Sequence, residues 1–217
     1  MNNNLLVSKD ISIKCVIIGD SNTGKTSLII RYINNVFNSY DDAPTIGSSF
    51  FHKRFERNGK SFRCDIWDTA GAERYRSLMP MYYRKADMVF ICVDLTSINV
   101  MKQIEYWFFE LNKFINETNP IIILVGTKSD LQSDNVYNPI IKNINIKYPG
   151  YMFFDTSAKI NYNVSRLFNT SFDLVIDKKI KLLENNINNN SFEIKNINQD
   201  DNSLLLKTCF PNHCQIT

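Results

Sequence analysis

The segment Gly19-Asp-Ser-Asn-Thr-Gly24-Lys25-Thr26 decides how this chain folds. The apolar run from Lys14 to Ile18 precedes it and predicts a buried strand, which Gly19 ends with a sharp turn. From Thr26 to Asn34, apolar residues recur at the spacing of a helix. A strand, a loop of the pattern Gly-x-x-x-x-Gly-Lys-Thr and a helix form the context in which backbone N–H groups wrap phosphates. The sequence therefore predicts a phosphate-binding loop.

Two side chains of this loop have separate predicted roles. We expect Lys25 to reach the β- and γ-phosphates of a nucleotide, and the Thr26 hydroxyl to hold Mg²⁺. The other predicted nucleotide contacts in this part of the chain are Ser21, Asn22, Thr23, Gly24 and Ser27. A chance glycine–lysine turn is the alternative explanation, and the flanking strand and helix argue against it.

A second segment, Asp68-Thr-Ala-Gly71, completes the predicted phosphate and metal site. The strand predicted from Phe62 to Trp67 would deliver the Asp68 carboxylate toward Mg²⁺, usually through water, because this ion dehydrates reluctantly. Gly71 has no side chain, so its N–H can approach a γ-phosphate closely. The pattern Asp-x-x-Gly alone is often only a loop. Its occurrence together with the phosphate loop indicates a phosphate and metal site.

Two further segments predict which base is bound. The apolar run from Ile121 to Val125 predicts a central strand, and Thr127-Lys128-Ser129-Asp130 follows it. The Asp130 carboxylate can accept hydrogen bonds from the N1–H and N2–H₂ groups of guanine, which adenine lacks. A further strand from Tyr151 to Asp155 leads into Thr156-Ser157-Ala158-Lys159, whose backbone could bond the guanine O6. A charged turn is the alternative, and the position after a strand favours GTP binding.

With these motifs, the chain from about Ile11 to Ile180 resembles a small GTPase of the Ras superfamily, and most closely a Rab. The Rab-like segments are Ile46-Gly47-Ser-Ser-Phe50-Phe51, Arg57-Asn-Gly59-Lys60, Cys64-Asp-Ile-Trp67 and Leu78-Met-Pro80-Met81-Tyr82-Tyr83-Arg84, the last resembling endocytic Rabs. The resemblance implies that Thr45 binds Mg²⁺ and the γ-phosphate. It also implies that Phe37 stacks on guanine and that Lys128 packs along the base and ribose. Lys25, Thr45 and Gly71 are the catalytic residues implied.

The resemblance also implies a function. Such a protein is a GTP/GDP switch that uses Mg²⁺, hydrolyses GTP and regulates vesicle trafficking by recruiting effectors. The implied partners are an exchange factor, a GTPase-activating protein, a GDP-dissociation inhibitor or escort protein, and effectors bound through the switch regions. We expect a monomer, cytoplasmic and peripheral on the cytosolic face of intracellular, endosomal membranes. A P-loop kinase is a distant alternative, against which the guanine-reading motif argues.

Three positions depart from the family pattern. Ala72 stands where these GTPases carry the glutamine that orients the attacking water, so intrinsic hydrolysis should be slow. The alternative is a hydrolysis-deficient module that stays GTP-bound and recruits effectors. Thr127 replaces the usual asparagine, as in Rho-type relatives, and should be benign. The segment from Phe37 to Thr45 is one residue longer than usual, which weakens the assignment of Phe37 more than that of Thr45.

The alternation along the chain, β-α-β-β-α-β-α-β-α-β-α, predicts an α/β fold of the P-loop NTPase type, a six-stranded, mostly parallel sheet with helices on both faces. Met88–Val93 should be a buried strand. The helix Ile98–Asn116 should carry Met101, Ile104, Phe108, Leu111 and Ile115 along one side. The closing helix Asn161–Leu183 should bury Val164, Leu167, Phe168, Phe172, Val175 and Ile176. The ligand then belongs at the carboxyl ends of the strands.

Composition agrees with one domain and a tail. We divide the 217 residues into an extension at 1–10, a GTPase domain at 11–183 and a disordered, asparagine-rich tail at 184–217. The tail ends in Cys214-Gln-Ile-Thr217, which matches a prenylation pattern, and Cys209 is a second candidate lipid site. Cys15, Cys64 and Cys92 fall in predicted strands and suit a reducing cytosol. The net charge of +3 gives no nucleic-acid footprint, and no stretch reaches the length of a membrane span.

Overall fold

The structure is a computed structural model that describes residues 10–38, 45, 47–57, 59–70, 79–113, 119–182 and 184, without the side chains of 79, 80 and 134–138. Backbone contacts divide the chain into two compact units, Met1–Val175 and Ile176–Thr217. All the strands among the described residues lie in the first unit. In the second, the described residues 176–182 and 184 are helical.

The first unit is built on a six-stranded sheet with the strand order β2-β3-β1-β4-β5-β6. Its strands are β1 (Ile11–Ile18), β2 (Ser48–Arg57), β3 (Lys60–Thr69), β4 (Met88–Asp94), β5 (Ile121–Thr127) and β6 (Met152–Asp155). The β2–β3 pair is antiparallel. The other neighbouring strands run parallel, which confirms the predicted α/β class.

The helices alternate with the strands as the sequence predicted. They are α1 (Lys25–Asn34), α2 (Met79–Tyr83), α3 (Val100–Asn112) and α4 (Asp134–Lys147). The helix α5 covers residues 164–182. A short 3₁₀ turn at Ser129–Leu131 follows β5 and was not predicted.

Both faces of the sheet are covered by helices. On one face, Val89 and Ile91 of β4 pack in a buried cluster with Ile104 of α3 and Ile144 of α4. On the other face, the packing is mainly between aromatic rings. Tyr32 of α1 stacks on Phe168 of α5, with the ring centroids 4.0 Å apart. Phe90 of β4 meets Phe168 edge-on at 5.3 Å, and Phe55 of β2 stacks on Phe172 at 5.2 Å. The residues predicted to be buried in α5 are buried, namely Val164, Leu167, Phe168, Phe172, Val175 and Ile176.

Two helices begin later than the sequence predicted. The helix α3 starts at Val100, because Ile98, which is 98% exposed, belongs to the preceding turn. The large side chain that α3 buries in the core is Trp107. Phe108, predicted for the core, is only partly buried, and Ile115 lies outside the described residues. The helix α5 starts after Asn161 and Asn163, both of which adopt left-handed backbone conformations with φ of 57°. Asparagine tolerates this conformation because its short amide can bond locally.

The three cysteines of the strands are buried free thiols, as predicted: Cys15, Cys64 and Cys92. Burial raises the pKa of Cys92 to about 12, so the thiol stays neutral and packs as a small apolar group. Among the described helices, none has the length and apolar character that crossing a bilayer requires.

We predict that Gly126→Ala lowers the free energy of unfolding by about 1–3 kcal/mol, the range for overpacking a core. A Cβ at Gly126 would lie 2.8 Å from both terminal carbons of Leu95, where real contacts do not occur. Urea unfolding measures the change. The matched control is Gly150→Ala, since nothing lies within 4 Å of a Cβ there. Equal stability of the two variants would contradict the packing argument.

Candidate functional site

Most segments that carry the described site residues lie at the carboxyl ends of β1, β3, β5 and β6, at one edge of the sheet. β1 ends at Ile18 immediately before the phosphate loop, and Asp68 lies at the end of β3. β5 ends at Thr127 and β6 at Asp155, each followed by one of the two segments predicted to read the base. Parallel strands share this edge, so segments far apart in sequence come together there.

The phosphate loop depends on a glycine at its first position. Gly19 has φ of 150°, and a Cβ there would lie 2.2 Å from the carbonyl oxygen of Cys92 in β4. The loop then passes through left-handed conformations at Asn22, with φ of 60°, and Gly24, with φ of 80°. Such turns direct successive N–H groups into a concavity that suits an anion. Gly24 is also the N-cap of α1, so the helix N-terminus adds its dipole to the same place.

Lys25 crosses the loop from the first turn of α1. Its Nζ donates to the backbone carbonyls of Gly19 at 2.9 Å and Asp20 at 2.7 Å, and the residue is only 5% exposed. Burial lowers the pKa of Lys25, because the ammonium has lost much of its hydration. A phosphate beside it would replace that lost solvation with charge pairing.

Three oxygen-bearing side chains from separate segments converge beside the loop. The Thr26 hydroxyl donates to Oδ2 of Asp68 at 2.6 Å and lies 3.0 Å from the hydroxyl of Thr45. Asp68 is fully buried, and its Oδ1 accepts no hydrogen bond from any residue that the structure describes. Burial raises the pKa of Asp68, although the Thr26 hydrogen bond and the charge of Lys25 oppose that shift.

This cluster fits a magnesium ion. The Thr26 and Thr45 hydroxyls and the Asp68 carboxylate would hold the ion, because oxygen atoms are the ligands that Mg²⁺ prefers. A cation near the orphaned Oδ1 would offset the desolvation of the Asp68 carboxylate. Among the described residues, no group of three or more His, Cys, Asp or Glu side chains could hold a metal ion. The ion would therefore need phosphate oxygens and water to complete its shell.

Thr127, at the end of β5, contacts the phosphate loop. Its hydroxyl lies 2.6 Å from the carbonyl oxygen of Thr23 and 3.0 Å from that of Val93, and the residue is 4% exposed. This hydroxyl joins the phosphate loop to the end of β5. The nucleotide contact predicted for Thr127 stays a prediction.

The residues predicted to read the base are held together by direct hydrogen bonds. Asp130, on the 3₁₀ turn, accepts from the Ser157 hydroxyl at 2.5 Å through Oδ1. The Ser129 N–H donates to the carbonyl of Thr156 at 3.1 Å, which fixes the two segments side by side. Lys128 has a left-handed backbone, with φ of 58°, and its ammonium pairs with Asp94 at 2.8 Å.

Two further side chains, which no sequence motif predicted, contact the site. The Trp107 indole N–H of α3 donates to Oδ1 of Asp20 in the phosphate loop at 3.0 Å. Arg31 of α1 donates from Nε to the carbonyl of Ala158 at 2.6 Å. Both contacts join positions far apart in the chain, and no local sequence motif predicts them.

Several predicted residues cannot be placed. Gly71 and Ala72 lie outside the described residues, as do Cys209 and Cys214. Phe37 is described and half-buried, and its stacking on a base stays a prediction.

Comparison with known proteins agrees with this geometry. The family model described as Ras family matches residues 14–177. The GTP-binding protein YPT53 of Saccharomyces cerevisiae is 34% identical over 167 residues, which cover 74% of this chain and 74% of that protein. The Ras-related protein Rab5 of Nicotiana tabacum is 36% identical, covering 73% and 78%. The putative ras-related protein Rab-5B of Dictyostelium discoideum is 37% identical, covering 73% of each. The chain therefore belongs to the Ras family of small GTPases and, within it, to the Rab proteins.

Proposed function

We propose that this protein is a Mg²⁺-dependent GTP switch that regulates vesicle trafficking, with slow intrinsic hydrolysis. The observation that carries the proposal is the convergence of three groups at one sheet edge. The Lys25 ammonium, the Asp68–Thr26–Thr45 oxygen cluster and the Asp130 carboxylate would take the phosphates, the cation and the guanine, respectively. The proposed switch covers residues 11–183, with an extension at 1–10 and a tail at 184–217.

In this site the chain would act mainly by positioning and by electrostatics. Lys25 and the N-terminus of α1 would stabilise the negative charge on the β- and γ-phosphates as water attacks and GDP leaves. A bound Mg²⁺ would supply further charge neutralisation on the same oxygens. The Thr45 hydroxyl and the Gly71 N–H would respond to the γ-phosphate and be released when it departs.

Ala72 sets the proposed rate. A methyl group cannot donate or accept a hydrogen bond, so it cannot orient the attacking water as a glutamine amide can. The second candidate function, a persistently GTP-bound module, is favoured by this same residue. An activating protein that supplies the missing groups in trans would restore turnover in the first case and not in the second.

The proposed effector surface lies beside Thr45 on β2 and β3. Phe50 meets Trp67 edge-on at 5.1 Å, and Trp67 lies 5.7 Å from Tyr82. Phe50 is 51% exposed, which makes it a candidate anchor for a partner. Exchange factors, activating proteins and a GDP-dissociation inhibitor or escort are the other proposed partners. The relatives named Rab5 favour the endocytic branch, and hence the cytosolic face of endosomal membranes.

Replacing Asp130 tests the base assignment. We expect Asp130→Asn to weaken GDP binding about 100-fold, because an amide presents a donor where guanine requires an acceptor. Xanthosine diphosphate, which carries a carbonyl at position 2, should bind the variant better than it binds the native protein. Competition against a fluorescent nucleotide measures both affinities. The control is Asp173→Asn, in an exposed ion pair with Arg57. Unchanged guanine preference in Asp130→Asn would show that another group reads the base.

Single-turnover hydrolysis of preloaded GTP tests the role of Ala72. We expect Ala72→Gln to hydrolyse GTP at least about tenfold faster than the native protein, because the amide can orient water. Ala72→Leu is the control, because leucine is similar in size to glutamine but has no amide. This variant should hydrolyse GTP as slowly as the native protein. If neither variant is faster, another part of the site is out of register, and the persistently GTP-bound module becomes the better description.

Fractionation of cells tests the proposed lipid anchor. We expect Cys214→Ser to move the protein from the membrane pellet to the supernatant, because this change removes the proposed prenyl group. A single lipid chain left on Cys209 would bind membranes only marginally. Cys209→Ser should retain part of the membrane-bound protein. Release by Cys209→Ser alone would move the anchor to that residue, and retention of the double variant on membranes would refute lipidation at either.

A further inference from the structure

Arg31 connects the helix that follows the phosphate loop to the segment predicted to contact guanine. Its Nε donates to the carbonyl of Ala158 at 2.6 Å, and Nη2 donates to the carbonyl of Lys159 at 3.2 Å. The third nitrogen, Nη1, donates to the carbonyl of Asn35 at 2.8 Å. The whole guanidinium is therefore engaged, with two of its nitrogens on successive peptides of the base segment.

These contacts orient specific N–H groups. In a trans peptide the C=O and the N–H of the same unit point in opposite directions. The carbonyl of Ala158 shares its peptide unit with the N–H of Lys159, so Arg31 turns that N–H away from α1. The carbonyl of Lys159 shares its unit with the N–H of Ile160, which bonds the Ser157 hydroxyl at 3.3 Å. That same hydroxyl holds Asp130.

The rest of the segment is closed on itself. Ser157 and Tyr162 exchange backbone hydrogen bonds of 3.1 and 2.9 Å. Asn161 donates to the side chain of Asn35 at 3.2 Å, which adds a second tie to the end of α1. The Ala158–Lys159 peptide lies between these anchors, and Arg31 is the side chain that holds its carbonyls.

We propose that Arg31 is a positioning residue for guanine recognition. It fixes the Ala158–Lys159 peptide so that the Lys159 N–H faces the 6-oxo group of the purine. It also couples base and phosphate binding, because α1 begins with Lys25 and Thr26 and reaches the base segment through Arg31. The inference rests on the proposed function, since it assumes that residues 157–159 contact guanine. Lysine cannot substitute fully, because one ammonium lacks the planar fork that spans two carbonyls.

Release of GDP from the full-length protein gives the first test. We expect Arg31→Ala to release a fluorescent GDP about tenfold faster than the native protein, as loss of charged hydrogen bonds predicts, and Arg31→Lys to be intermediate. The matched control is Arg57→Ala, which removes an arginine from an exposed ion pair outside the site. Release as slow as in this control would overturn the proposal. If Arg31→Ala does not fold, Arg31→Lys carries the test.

A modified base separates positioning from general loosening of the fold. 6-Thioguanosine diphosphate keeps the N1–H and N2–H₂ groups that Asp130 would bind, and replaces the oxygen at position 6 with sulfur, a weaker acceptor. The native protein should prefer GDP over this analogue, and the Arg31 variants should lose most of that preference. An equal loss of affinity for both nucleotides would mean that Arg31 has only a structural role. If the native protein shows no preference, the premise that the segment reads O6 is wrong, independently of Arg31.

Discussion

The close contact between Gly19 and the carbonyl of Cys92 is the constraint on which the site depends. It seats the phosphate loop directly on the end of β4, at a separation that excludes any side chain. From there Lys25 can reach back to the carbonyls of Gly19 and Asp20, and Thr26 can reach Asp68 on β3. Without this contact the loop would lie farther from the sheet, and the carboxylate and ammonium would no longer share one buried space.

Local patterns predicted most of the fold, and long-range contacts escaped them. The strands were predictable because apolar runs such as Met88–Val93 are buried on both faces, and the motifs located Lys25, Asp68 and Asp130. The start of α5 was missed because the left-handed turns at Asn161 and Asn163 interrupt a run that looks helical. The contacts of Trp107 with Asp20 and of Arg31 with Ala158 span 87 and 127 residues, and no local spacing encodes such pairs.

Hydrogen bonds join the phosphate loop and α1 to the two segments predicted to read the base. Thr127 links the end of β5 to the phosphate loop through the Thr23 carbonyl, and Arg31 links α1 to Ala158. The two ties begin on different elements and end on opposite parts of the site. A displacement of the base segment would therefore strain the loop around the phosphates, and the reverse also holds.

The residues proposed to bind GTP are different from the residue proposed to set the rate of its hydrolysis. Lys25 and Asp68 are both buried, and the lost hydration lowers the pKa of Lys25 and raises that of Asp68. Phosphates and a cation beside them would favour the charged forms. Ligand binding to these groups stabilises the folded state by mass action, whatever the rate of the later chemistry. Ala72 lacks the amide that orients water, and it is none of the groups that form the charged cluster. In the proposed function, its methyl group would slow GTP hydrolysis without removing the groups that bind GTP, and the GTP-bound state would last longer for an effector to bind.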